Sequence, residues 1–199
     1  MTRVRDILDD LCRLAPLELQ MGFDNAGLLV GSRDAEVKKV LLALDATAEV
    51  IAEGRERGVQ LLVTHHPLIW TAIKSVTDGD IQARKVIQLL ENRMALISMH
   101  TNLDIADGGV NDALAELLGA RVADPLDEDG CGRVTELSEE MDLHAFLPYC
   151  RDALGTNGLR YYDAGRPVRR LAVMGGAGGG AVEAAFRKGC DTYLTADIK

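Results

Sequence analysis

Two adjacent histidines, His65-His66, stand where the apolar run Val59 to Val63 gives way to Thr64 and, just beyond the pair, to Pro67. Imidazole is the commonest metal-ligating side chain. Neighbouring side chains at a strand end leave in different directions, so the pair suits two adjacent metal ions better than one. The competing reading is a pair of hydrogen-bonded histidines in a turn. A second apolar run, Ala95 to Met99, leads into His100-Thr101-Asn102-Leu103-Asp104. If both runs are parallel strands, their carboxyl ends share one sheet edge, which is where open α/β sheets bind ligands. Asp104 then joins the histidine pair. A carboxylate with imidazoles is a mixed nitrogen and oxygen set suited to Zn, Mn, Fe or Co, whereas Mg and Ca prefer oxygen alone. His100 is open among a further ligand, a partner of a ligand, an acid/base, and a histidine that serves the local backbone. His144 sits in a predicted helix away from that edge and reads as structural.

Gly176-Ala177-Gly178-Gly179-Gly180-Ala181 fits the dinucleotide pattern G-x-G-x-x-[G/A] between a strand and a helix, and Asp197 follows about 20 residues later. Low-complexity glycine matches that pattern easily. A phosphate-accepting turn and simple close packing of backbone are the other two readings. Asp45, Asp24 and Asn25 are weaker candidates, each as well explained by a turn.

The elements that must position these residues alternate. Val4, Ile7, Leu8, Leu11 and Cys12 recur at helical spacing, with Pro16 as a stop. A strand is expected over Val40 to Leu44, a helix over 47 to 57 capped by Thr47, and a strand over Val59 to Val63. A helix over 79 to 93, a strand over Ala95 to Met99 and a helix over 109 to 118 continue the series. The pattern weakens from 121 to 165, where an acidic, glycine-rich stretch reads as a surface connection, followed by a helix over 142 to 154 and a short strand near Leu159 to Tyr162. Strand Leu171 to Met174, helix 181 to 188 and strand Thr192 to Thr195 close the chain. This alternation predicts an α/β fold with a mainly parallel sheet and helices on both faces. Three regions follow: an N-terminal lobe over 1–120 with the histidines and Asp104, a connecting segment over 121–165, and an incomplete C-terminal βαβ lobe over 166–199. Arg57-Gly58, Val63-Thr64 and His66 align with Lys188-Gly189, Leu194-Thr195 and Asp197 as a faint internal repeat. The chain stops at Ala196-Asp197-Ile198-Lys199, the carboxyl end of a predicted strand with no covering helix, so a truncated polypeptide is expected.

Composition excludes several classes. At 199 residues with 47% hydrophobic and 27% charged side chains, the chain can bury a core and is not disordered. Its formal net charge of −9 repels phosphate backbones and anionic lipid, which argues against nucleic-acid and membrane partners. Neither a signal-peptide h-region nor a run long enough to span a bilayer is present, so the sequence reads as cytoplasmic. The four cysteines are widely spaced and read as reduced.

Taken together, Phe23-Asp24-Asn25-Ala26-Gly27-Leu28-Leu29-Val30-Gly31, Val63-Thr64-His65-His66-Pro67-Leu68, His100 to Asp104 with Gly108-Gly109-Val110-Asn111-Asp112, Val173 to Gly178, and Tyr193 to Lys199 resemble the GTP cyclohydrolase I type 2 homologues, also called Nif-three-like dinuclear metal proteins. These segments run through almost the whole chain in family order. The resemblance implies a three-layer α/β fold of two intertwined lobes, a homohexameric ring, and a site for two divalent metal ions. It carries His65, His66 and Asp104 over as metal ligands. The family's further histidine and glutamate ligands follow the Thr-x-Asp-Ile-Lys segment and have no counterpart within these 199 residues. Phe23 stands where Trp is usual and Ala196 where Gly is usual.

The function expected from this is a dinuclear-metal-dependent hydrolase acting on a small molecule, a nucleotide among the candidates. Two ions roughly 3.5 to 4 Å apart would activate a water for attack, with His100 as proton shuttle; in the reaction that the family name suggests, the imidazole ring of GTP is opened. A metal-binding regulatory or interaction protein without turnover is the alternative, and a dinucleotide-binding module the third.

Overall fold

The structure is a computed structural model and describes residues 1–198, without the side chain of Ala123. Lys199, which ends the last family-like segment, lies outside the described residues. The chain forms two compact units, one spanning Met1–Ala106 and the other running from Asp107 onward.

The first unit holds α1 (Val4–Leu14), β1 (Gly27–Val30), β2 (Val40–Ala43), α2 (Ala48–Glu56), β3 (Leu61–Thr64), α3 (Ile81–Glu91), β4 (Ala95–Ser98) and α4 (Thr101–Ile105). Its sheet has the order β1-β4-β3-β2, with β2, β3 and β4 parallel and β1 antiparallel on β4. Every residue of β3 and β4 is buried. Because side chains alternate, Leu61, Val63, Ala95 and Ile97 enter one core with Val4 and Leu8 of α1, while Leu62 and Leu96 enter a second with Ile51 of α2 and Val86 and Leu89 of α3. Helices therefore cover both faces, and the strands read as continuous apolar runs for that reason. Thr47 caps α2 by accepting from the Val50 amide, as its sequence position predicts, and Asp80 caps α3 through the Ala83 amide. Gly31 has φ +103°, and a Cβ there would lie 2.7 Å from that of Ala95. Only glycine lets the end of β1 close onto β4.

The second unit holds α5 (Val110–Leu117), β5 (Arg121–Pro125), β6 (Arg133–Met141), α6 (Leu143–Ala153), β7 (Val168–Met174), α7 (Val182–Arg187) and β8 (Thr192–Thr195). The sheet order is β5-β6-β7-β8; β7 and β8 are parallel and the other pairs antiparallel. Ala115 and Leu118 pack with Phe146 and Cys150 of α6 over Leu137, Leu171 and Val173. The α/β class is as the sequence predicts, with parallel pairing concentrated in the first sheet.

In the stretch expected to connect two lobes the helix over 142 to 154 forms, as α6, but β5 and β6 are strands of the second sheet, and α5 belongs to this unit. The reason lies in β6. Val134, Thr135 and Leu137 are buried, but Glu136, Glu139 and Glu140 interrupt the apolar alternation on which a strand reading depends. No strand forms over 159 to 162.

The two crossover units share a register. Thr64 pairs with Ala43 and Thr195 with Met174, each one strand along, and both helices end at a positive-φ glycine, Gly58 and Gly189. Among the described residues, no helix is long and apolar enough to cross a membrane.

Candidate metal centre

Parallel pairing places Thr64 beside Ser98 in register, with their buried hydroxyls 2.9 Å apart. The chain leaving β3 and the chain leaving β4 therefore emerge side by side. Beyond the last pairs, the His65 and His66 amides still donate to the Ala43 and Leu44 carbonyls, and Met99 donates to Thr64. These bonds extend the ladder just far enough to fix both histidines on the strand tips. On the neighbouring tip, α4 begins after His100. Its buried Asn102 accepts from the His100 amide at 2.9 Å and donates to the Ala15 carbonyl at 2.8 Å, which locks this turn against the loop after α1.

The histidines converge. The rings of His65, His66 and His100 have centroids 5.0, 5.1 and 5.6 Å apart, and one ligand atom from each lies within 4.8 Å of the others. Asp104 Oδ1 lies 3.7 Å from His65 Nε2. The topology thus brings together His65, His66, His100 and Asp104, all from one unit.

Each imidazole is anchored through the same nitrogen. His65 Nδ1 lies 2.9 Å from the Met99 carbonyl, His66 Nδ1 2.9 Å from Asp45 Oδ1, and His100 Nδ1 2.8 Å from Asp24 Oδ1. Carbonyls and carboxylates accept, so each Nδ1 donates, and Nε2 is the nitrogen left to face a metal. Three imidazoles, each oriented by an oxygen on its Nδ1, form the usual arrangement behind a metal centre. The donor set fits a divalent ion with mixed nitrogen and oxygen preference, and the cluster could hold one.

Burial sets the electrostatics. Desolvation lowers the His65 pKa below its ordinary value, against the raising pull of Asp104 and the Met99 carbonyl. Desolvation likewise raises the Asp104 carboxyl, opposed by the three histidines. Burial also pushes Asp24 upward, but hydrogen bonds from the Thr101 hydroxyl, His100, and the Thr101 and Asn25 amides outweigh it and hold the carboxyl below its ordinary value. Asp24 is therefore an acceptor, which fixes the His100 tautomer. Its side chain has no exposed surface.

The turn readings of Asp24 and Asp45 miss these roles, since a single sequence carries no signal that either carboxylate meets a histidine tens of residues away. His144 sits on α6 in the second unit, as expected, near Tyr161. Within the glycine run, Gly178 is held by close packing. The Gly178 amide donates to Thr195 Oγ1 at 3.0 Å, Tyr193 Oη donates to the Gly178 carbonyl at 2.6 Å, and a Cβ on Gly178 would collide with both hydroxyls. Close packing thus accounts for the glycine at 178, and the helix that follows has only six residues.

The fold and this cluster define an α/β protein with three histidines that could hold a metal ion and a carboxylate beside them. The chain belongs to the Duf34/NIF3 (NGG1p interacting factor 3) family, whose model matches residues 2–199. It is 39% identical over 202 residues to a Clostridium perfringens protein called GTP cyclohydrolase 1 type 2 homolog, covering 98% of this chain and 77% of the relative. A Streptomyces coelicolor protein of the same name is 36% identical, over 100% of this chain and 74% of its own length. Among solved structures, Staphylococcus aureus hypothetical protein SA1388 superposes with a TM-score of 0.90 at 27% identity, covering 99% of this chain and 79% of that one. Reduced HcgD from Methanocaldococcus jannaschii gives 0.85 at 34% identity, with 100% and 79% coverage.

Proposed function

We propose that this chain is a metal-dependent hydrolase acting on a small molecule by a GTP cyclohydrolase-like reaction, with His65, His66 and Asp104 holding a centre of two divalent ions and His100 as acid/base. The observation that supports it most is the common Nδ1 anchoring of three adjacent imidazoles, which leaves three Nε2 atoms for a metal, with the Asp104 carboxylate beside that of His65. A divalent ion held there supplies Lewis acidity and a nucleophile made from water at neutral pH. The residues of the chain do the rest. Asp24, bonded to His100 Nδ1, orients the ring and would stabilise the imidazolium formed when Nε2 takes a proton. Asp104, half-buried next to His65, would supply the oxygen donor of a mixed nitrogen and oxygen set suited to Zn, Mn, Fe or Co. The name of the relatives supports a nucleotide as substrate, and the family resemblance supports a cytoplasmic homohexamer.

The test is turnover of GTP and of simple phosphoesters by Zn- or Mn-loaded protein. His100→Gln is expected to retain metal and lose turnover, while Asp104→Ala loses both. Metal-loaded protein that turns over none of these compounds would remove the hydrolase assignment and leave a metal-binding protein. Loss of metal in His100→Gln would make His100 a ligand.

A further inference from the structure

Beside the histidine cluster, two large aromatic side chains stand in solvent. Trp70 is 51% exposed and Phe23 61% exposed, and their ring centroids lie 5.9 Å apart at an interplanar angle of 45°. Trp70 also makes an edge contact with His100, with centroids 5.5 Å apart.

Neither ring belongs to the apolar cores of the first unit. An isolated exposed aromatic calls for no explanation. This pair differs because the backbone beneath it is clasped. Asn25, two residues after Phe23, donates from Nδ2 to the Ile69 carbonyl at 2.6 Å, and Gln82 of α3 donates to the Leu68 carbonyl at 2.6 Å. The carbonyls of the two residues before Trp70 are thus both held, and one of the clasps comes from the Phe23 turn. Leu68 and Ile69 themselves pack on the core between the sheet and α2 and α3. The rings are presented from an anchored frame and join neither apolar core of this unit.

We infer that Phe23 and Trp70 form a stacking surface for a flat heteroaromatic ring, a nucleobase, whose reacting end reaches the histidine cluster. Base-on-aromatic stacking uses only the π-face of the ring and discriminates ring-bearing from ringless ligands. The contact between Trp70 and His100 places the surface one ring away from the proposed acid/base. The choice of a substrate ring as occupant rests on the hydrolase reading above; the stacking itself does not need a metal.

Trp70 is the chain's only tryptophan, so its emission reports on this surface without labelling. Full-length chain, with and without Zn, is titrated with guanosine, GTP and inorganic triphosphate. Saturable change with guanosine and GTP, and none with triphosphate, is the expected result. Phe23→Leu should weaken guanosine binding about tenfold, Phe23→Tyr should restore it, and both should keep the wild-type Zn content. Emission that ignores guanosine and GTP, responds equally to triphosphate, or follows protein concentration instead of ligand overturns the inference; the last result would make the surface a contact with a second copy. Turnover by Zn-loaded protein with unresponsive Trp70 would keep the hydrolase reading and remove the stacking surface. Guanosine binding by protein that holds no Zn would do the reverse.

Discussion

Removing the Asp24 carboxylate tests the frame around His100 most sharply. Its buried oxygens accept from His100 Nδ1 at 2.8 Å, from the Thr101 amide at 2.9 Å and from the Thr101 hydroxyl, besides a local bond from the Asn25 amide. Three donors from the strand tip after β4 thus depend on one side chain of another loop. An unsatisfied buried donor costs about 1–3 kcal/mol. Entering water will recover part of that in Asp24→Ala, so we expect a loss of about 3 kcal/mol for the metal-free protein, or roughly 6–12 °C in thermal midpoint for a domain of this size. Asp24→Asn keeps the shape but turns one acceptor into a donor, and should lose about half as much. Chemical denaturation and thermal melts at neutral pH measure both, and nitrogen shifts of the His100 ring report whether its proton stays on Nδ1. A loss below about 1 kcal/mol in Asp24→Ala, with the His100 tautomer unchanged, would refute the argument that Asp24 organises this tip.

Other consequences follow from the same geometry. Proton competition should strip Zn from the site on acidification. Because burial holds the His65 pKa below its ordinary 6.5, this side chain stays neutral further into acid than an exposed histidine; a ring titration of His65 in the metal-free protein with a midpoint above 6.5 would contradict its burial. Asp24, whose carboxyl lies below its ordinary 3.8, contributes its stability above that pH and loses it only as pH falls through its lower folded value. Acid unfolding of the metal-free protein should therefore move to higher pH in Asp24→Asn. Ile97 is fully buried between β4 and α1, so Ile97→Ala should cost about 2–5 kcal/mol by equilibrium denaturation, and a near-neutral effect would place the core elsewhere.

The parallel half of the first sheet is legible because β3 and β4 are buried on both faces, and two-sided burial writes itself as uninterrupted apolar runs. The tips of those strands are legible too, since His65-His66 and the segment from His100 to Asp104 directly follow them. What stays hidden is whatever depends on pairing across the chain. Strand β6 is masked by its glutamates, and its edges are set by antiparallel neighbours that no local pattern names. Asp24 and Asp45 look like turn residues, and they are, yet each also meets a histidine that is 76 or 21 residues away. The glycine run shows the converse case: it fits a nucleotide-binding pattern on spacing alone, while the hydroxyls of Tyr193 and Thr195 supply a packing reason for Gly178 that no pattern includes.

The metal content of intact, dialysed protein, measured by elemental analysis beside His65→Ala, tests the central claim most directly. About one to two equivalents of a divalent transition metal per chain in the wild type, falling sharply in the variant, is the predicted result. Wild-type protein that is folded by circular dichroism and retains no Zn, Mn, Fe or Co after loading would contradict it.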